Sequence, residues 1–161
     1  MPMYVFNEVG KFDERFFMYG EDLDLSYKLI FLGKKSALIP DAKVYHKRRT
    51  NLLNFFRQMI KSGKGRHYLN LKYGETFRLF HLFPTLFILG FIISQILYVF
   101  YGDKAAEIIQ IFYGIYFGAI FLGSSAINRN PIIGFLSVIT TFTQFLGYGM
   151  GYVYGLVYRN L

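Results

Sequence analysis

LFPTLFILGFIISQILYVFY, residues 82–101, carries no charged side chain. A helix rising 1.5 Å per residue needs about 20 residues to cross a hydrocarbon core of about 30 Å, and this run supplies them. Pro84 falls in its first turn, where a missing N–H costs little. Two further apolar runs follow at 105–127 and 132–157, joined by Gly102-Asp103-Lys104 and Asn128-Arg129-Asn130-Pro131. Short polar links between neighbouring helices predict an up-down-up, three-helix transmembrane bundle over residues 79–161.

The charge pattern divides the chain at the same place. Residues 1–78 hold 15 basic and 8 acidic side chains, whereas 79–161 hold only Asp103, Lys104, Glu107, Arg129 and Arg159. So few charges cannot coat the second half of an ordinary soluble domain. Disorder is excluded as well, because 14 Tyr and 19 Phe make the chain 20% aromatic. With no Cys, disulfides, thiolate metal sites and cysteine nucleophiles are ruled out. The excess of Lys and Arg carries no nucleic-acid recognition motif and reads as the signature of a cytoplasmic membrane face. Arg57, Lys61, Lys64, Arg66, Lys72 and Arg78 precede the first span and outweigh Lys104 and Arg159, which places residues 1–78 in the cytoplasm and the C-terminus outside. The first span starts too far into the chain for a signal peptide. Only Glu107 is ionisable within a span, near its end, so a transport pathway is disfavoured.

Small residues recur every four positions at Gly114 and Gly118 and at Gly147, Gly151 and Gly155. This spacing aligns them on one helix face, where backbones approach closely in lipid. They suit either homodimerisation or packing of the second span on the third.

Residues 1–78 alternate between short elements. Residues 3–6, 36–40 and 42–46 read as extended runs, and 22–32 as a helix closed by Gly33. Residues 51–62 read as an amphipathic helix capped by Thr50 and stopped by Gly63, with Leu52, Phe55, Phe56, Met59 and Ile60 on its apolar face. It either lies in the membrane interface or packs against another part of the protein. The chemistry-bearing cluster is Glu21-Asp22-Leu23-Asp24. Three carboxylates so close repel one another and need a helix N-terminus, a cation or a proton-transfer task to hold them together.

The run from Val9 to Lys28, with Phe12-Asp13-Glu14-Arg15-Phe16-Phe17-Met18-Tyr19-Gly20-Glu21-Asp22 at its centre, resembles the acceptor-site region of family 2 glycosyltransferases. These are inverting, nucleotide-sugar-dependent enzymes of the GT-A fold. The likeness continues through Gly33, Ile39-Pro40-Asp41-Ala42-Lys43-Val44-Tyr45-His46, Phe56-Arg57-Gln58 and Ser62-Gly63-Lys64-Gly65-Arg66. It implies an α/β fragment, the C-terminal part of a GT-A domain, ahead of the transmembrane bundle. Residues 1–49 would form the acceptor side and 50–78 a basic interfacial segment.

By this resemblance Asp22 is the base that deprotonates an acceptor hydroxyl, and Glu21 orients the acceptor or the base. His46 is implied as a ligand of a divalent cation, Mn²⁺ or Mg²⁺, on the donor diphosphate; read from the residues alone it is an exposed strand-end histidine. Arg57, Lys64 and Arg66 would contact phosphates or the lipid surface. Asp22-x-Asp24 does not correspond to the family's metal-binding Asp-x-Asp, which lies upstream, and Asp24 is read as assisting helix entry or making a structural contact. His67 and His81 are read as surface or interfacial residues. The implied partners are a nucleotide-sugar donor, a glycan or lipid-linked acceptor and membrane lipids. The nucleotide-binding half and most cation ligands are expected outside this chain, which is expected to be inactive without them. The rival class is a non-catalytic membrane anchor or docking protein for a partner enzyme.

Overall fold

The computed structural model describes residues 1–16, 19–37, 39–45 and 51–158, with Thr76 described in its backbone alone. Six α-helices follow in order among them: α1 Met3–Glu8, α2 Glu21–Phe31, α3 Leu52–Lys72, α4 Phe83–Tyr101, α5 Lys104–Asn128 and α6 Pro131–Val157. Two 3-10 turns, Gly74–Thr76 and Leu79–Leu82, link α3 to α4.

The expected α/β fragment is not what the chain forms. Of the described residues 77% are helical and none lies in a strand. Residues 3–6 belong to α1, and the described parts of 36–40 and 42–46 pair with no neighbouring strand. An extended run becomes a strand only when a partner takes its backbone hydrogen bonds. Both short helices end on a left-handed glycine. At Gly33 (φ +67°) the N–H bonds Ile30 O at 2.9 Å and the next N–H bonds Leu29 O at 2.9 Å, and Gly10 (φ +76°) closes α1 the same way. These paired bonds satisfy carbonyls that the helix end leaves open.

α4, α5 and α6 are long and apolar enough to cross a membrane. Their ends are set by local chemistry. Asp103 caps α5 by accepting from the Ala106 N–H at 2.8 Å, and Asn130 caps α6 through the Ile132 N–H at 2.9 Å. Gln110 donates to Ser94 O at 3.2 Å and Tyr113 to Phe87 O at 2.7 Å, which makes α4 and α5 antiparallel. Ser124 and Ser137 meet at 2.7 Å and Phe117 packs near Phe142, so α5 and α6 are antiparallel too. Phe87 sits where all three converge, with ring contacts to Tyr113, Tyr116, Phe117 and Phe145.

α3 does not stop at Gly63. Asn51 caps its start by accepting from the Leu53 and Asn54 N–H groups, and the helix runs through Gly63 and Gly65 to Lys72. Tertiary contact overrides the helix-weakening tendency of glycine here. A Cβ on Gly63 would collide with the Tyr148 carbonyl, and one on Gly151 with the Ile60 carbonyl. Gly147 faces Phe56 and Met59, and Gly155 faces His67. The three glycines of the four-residue repeat, Gly147, Gly151 and Gly155, therefore meet α3 rather than α5, and α3 and α6 run side by side in the same direction. Gly114 and Gly118 of α5 have no atom within 4 Å of where a Cβ would sit.

Candidate functional site

The carboxylate turn is built by two glycines. Gly20, at φ +104°, reverses the chain into α2, and its carbonyl accepts the Asp24 N–H at 2.8 Å. Gly65 on α3 lets the Tyr19 carbonyl approach so closely that a Cβ there would overlap it. Glu21, Asp22 and Asp24 thus occupy the first turn of α2, where the helix dipole offsets part of their mutual repulsion.

The three carboxylates have separate surroundings. Asp24 is 0% exposed and serves as a structural hub. Its Oδ1 accepts from Lys72 Nζ at 2.6 Å and from the Tyr73 hydroxyl at 2.8 Å, while Oδ2 faces Lys28 Nζ at 3.0 Å. Burial by itself would raise the Asp24 pKa, but the hydrogen bonds from Lys72, Lys28 and Tyr73 and the charge of Lys72 outweigh it and hold the carboxyl below its ordinary value. Lys72 also bonds Asp13 at 2.8 Å. Hydrogen bonds from Arg15, then Lys72, hold the Asp13 carboxyl well below the usual carboxylate range against the opposing effect of burial. The network ties α2 and the loop before it to the end of α3.

Asp22 is exposed; its Oδ1 accepts from the Leu23 N–H at 2.8 Å. Glu21 is half-buried, and its Oε2 is buried without a hydrogen-bond partner among the described residues. Both line a cavity of about 670 Å³ between the start of α2, the middle of α3, the start of α4 and the middle of α6. Phe80, Phe83 and Phe145 supply apolar wall. Polar groups enter from Ser62 and Arg66 on α3, from His81, and from Gln144 and Tyr148 on α6. Arg66 is hydrogen-bonded to Tyr148. His81 Nδ1 accepts the Arg78 N–H at 3.3 Å, which leaves the proton of the neutral ring on Nε2.

Of the basic residues singled out from the sequence, only Arg66 joins Glu21 and Asp22. Lys64 lies over the rings of Tyr154 at 4.9 Å and Tyr68 at 5.4 Å, outside this cavity, and Arg57 is exposed. A 200° rotation separates helix positions 64 and 66, so the two cannot serve one site. His46 lies outside the described residues. His67 and His81, expected to be surface or interfacial residues, are both buried. Ser62 stood in the sequence only as the first residue of the Ser62–Arg66 run, and His81, Gln144 and Tyr148 were not legible as site residues because they sit in apolar or glycine-rich surroundings that carry no motif.

Among the described residues no three of His, Cys, Asp or Glu stand together as a metal ion would need. The oxygens of Asp13 and Asp24 are committed to Lys72, Arg15, Lys28 and Tyr73. Glu21 and Asp22 alone do not make a cation site.

The family described as Glycosyl transferase family group 2 matches residues 2–149. Two N-acetylglucosaminyl-diphospho-decaprenol L-rhamnosyltransferases of Mycobacterium tuberculosis, from strains CDC 1551 / Oshkosh and ATCC 25618 / H37Rv, are each 51% identical to the chain over 41 residues. The matched stretch covers 26% of this chain and 13% of either relative. No solved structure matches the chain.

Proposed function

The chain belongs to glycosyl transferase family group 2, and on that premise we propose that it carries the acceptor side of an inverting sugar transfer at the cytoplasmic face of a membrane. The donor is a nucleotide-sugar. The acceptor is a sugar linked through diphosphate to a polyprenyl lipid, the acceptor chemistry that the names of the two rhamnosyltransferases specify. The observation that carries this reading is the cavity itself. It joins the Glu21-Asp22 turn to the starts and middles of helices apolar enough to span a bilayer. A lipid-borne sugar needs such a place, with its tail in hydrocarbon and its hydroxyl beside a base.

In the proposed reaction the acceptor hydroxyl attacks the anomeric carbon of the donor, the bond to the nucleoside diphosphate breaks, and Asp22 takes the hydroxyl proton. Asp22 suits the task because its carboxylate is exposed at the cavity and, among the described residues, engages only the neighbouring Leu23 N–H through one oxygen. Glu21 orients the acceptor through its unpartnered Oε2. Asp24 takes no part in proton transfer, since its oxygens are occupied and buried; it fixes the start of α2. The divalent cation used by the family would stabilise charge on the departing diphosphate, and no described residue is assigned to hold it.

The test is an Asp22→Asn exchange at the native locus, with sugar transfer to extracted lipid acceptor measured in isolated membranes. A general base contributes about 10²- to 10⁴-fold, so turnover should fall by at least about a hundredfold while membrane levels of the protein stay constant. Unchanged turnover would remove Asp22 from the role of base.

A further inference from the structure

Resting on the reading of the cavity as an acceptor site, we propose that Ser62, Gln144 and Tyr148 bind the hydroxyls of the acceptor's terminal sugar, so that the third membrane helix reads the carbohydrate. Gln144 lies near the middle of α6 and is the one side-chain amide within that helix. The hydroxyls around it satisfy themselves: Ser137 donates to Ile133 O at 2.8 Å, Thr140 to Leu136 O at 2.9 Å and Thr143 to Ile139 O at 2.7 Å. The Gln144 amide makes no such bond, and a bare amide facing hydrocarbon costs several kcal/mol by the usual order of magnitude. Its placement is explained by the cavity, which it lines together with Glu21, Ser62 and Tyr148.

The chemistry of this set fits a neutral polyhydroxyl ligand. A guanidinium has no acceptor, so in the Arg66–Tyr148 bond the arginine donates and the phenol keeps its own proton to give away. Glu21 Oε2 accepts only, while Gln144 and Ser62 offer both donor and acceptor. Each sugar hydroxyl likewise donates and accepts. An anion is poorly served by the same wall, because Glu21 and Asp22 set two carboxylates against one Arg66. The rings of Phe80, Phe83 and Phe145 give the apolar face on which a sugar ring rests. The diphosphate and lipid therefore lie outside this polar corner.

The experiment uses the full chain in detergent micelles and two probes, N-acetylglucosaminyl-diphospho-polyprenol and the same polyprenyl diphosphate without sugar. Gln144→Met keeps the side-chain length and removes the amide, and Tyr148→Phe removes only the hydroxyl. Each variant should bind the sugar-bearing lipid about tenfold more weakly, the usual effect of one lost hydrogen bond, and the sugar-free lipid as wild type does. Equal weakening toward both lipids, no weakening at all, or a wild-type chain that does not prefer the sugar-bearing lipid would each overturn the proposal. Failure of the functional reading shows separately: Asp22→Asn would then retain turnover, whatever the binding of these variants.

Discussion

At Asp24 two ammonium groups and a phenol converge on a carboxylate that solvent does not reach. Removing the charge leaves Lys72 and Lys28 facing a neutral amide in a part-buried place. Asp24→Asn should lower unfolding stability on the order of 3 kcal/mol, measured by urea titration of the micellar protein, while Asp22→Asn at the exposed neighbour should leave it unchanged. The same groups set the acid limit. Asp13 and Asp24 ionise at lower pH in the folded chain than in the unfolded one, so their stabilisation is complete above about pH 5 and is lost as pH falls through the unfolded value near 3.9 toward the lower folded values. Lys72 is shifted upward by its bonds to Asp13 and Asp24 against the opposing effect of burial, so its contribution holds below its unfolded value near 10.4 and fades only above the folded one. A stability profile level from pH 5 to 9 and declining below 4, with a shallower acid decline in Asp24→Asn, is the expected record. The carboxylate cluster was legible from its residues, whereas setting Asp24 apart from the metal-binding motif rested on the resemblance alone. Gln144 was not, because attention to ionisable groups in a span passes over an uncharged amide whose meaning comes only from what faces it.

For elements, the instructive case is α3. A helix stop at Gly63 follows from propensity, since glycine weakens a helix by about 1 kcal/mol relative to alanine. What reverses it lies far along the chain. Gly63 and Gly151 bring two helix backbones into contact, and Gly65 admits the Tyr19 carbonyl, so the glycines are docking surfaces rather than ends. The four-residue repeat on α6 marked a close helix contact in the sequence, but a repeat names one face and leaves its partner open. The strands failed for a related reason, because a pattern of short apolar runs does not itself supply the neighbouring strand. Gly151→Leu places a branched side chain against the Ile60 backbone, an overpacking that costs about 2 kcal/mol or more. Tryptic cleavage at Lys61, Lys64 and Arg66 in mild detergent should then accelerate at least about tenfold, as local opening of α3 becomes easier. Gly114→Leu on α5 meets only open space and should leave the cleavage rate unchanged.

Across the whole molecule, the α3–α6 contact bears on which side of the membrane the chain ends. By the positive-inside rule residues 1–78 are expected at the cytoplasmic face, and a plain count of three spans would then carry the C-terminus outside. α6 has 27 residues, about 40 Å of helix against a hydrocarbon core of about 30 Å, so roughly seven residues project beyond it. α3 lies along the C-terminal half of α6: Gly147 meets Phe56 and Met59, Gly151 meets Ile60, Tyr154 lies under the Lys64 ammonium, and Gly155 meets His67. Lys61, Lys64, Arg66 and Lys72 on α3 are costly inside hydrocarbon, where a charge at mid-depth carries a penalty of about 3 kcal/mol or more. The arrangement that avoids this cost has the end of α6 emerging on the same side as residues 1–78, with an even number of crossings among α4, α5 and α6. The chain has no cysteine, so single introduced thiols report without background. Ser36→Cys and Tyr158→Cys, both at exposed positions, should be labelled by a membrane-impermeant maleimide only after the cells are opened. Labelling of Tyr158→Cys in intact cells, with Ser36→Cys still protected, would instead seat α3 within the bilayer beside α6 and sink the shared-side arrangement.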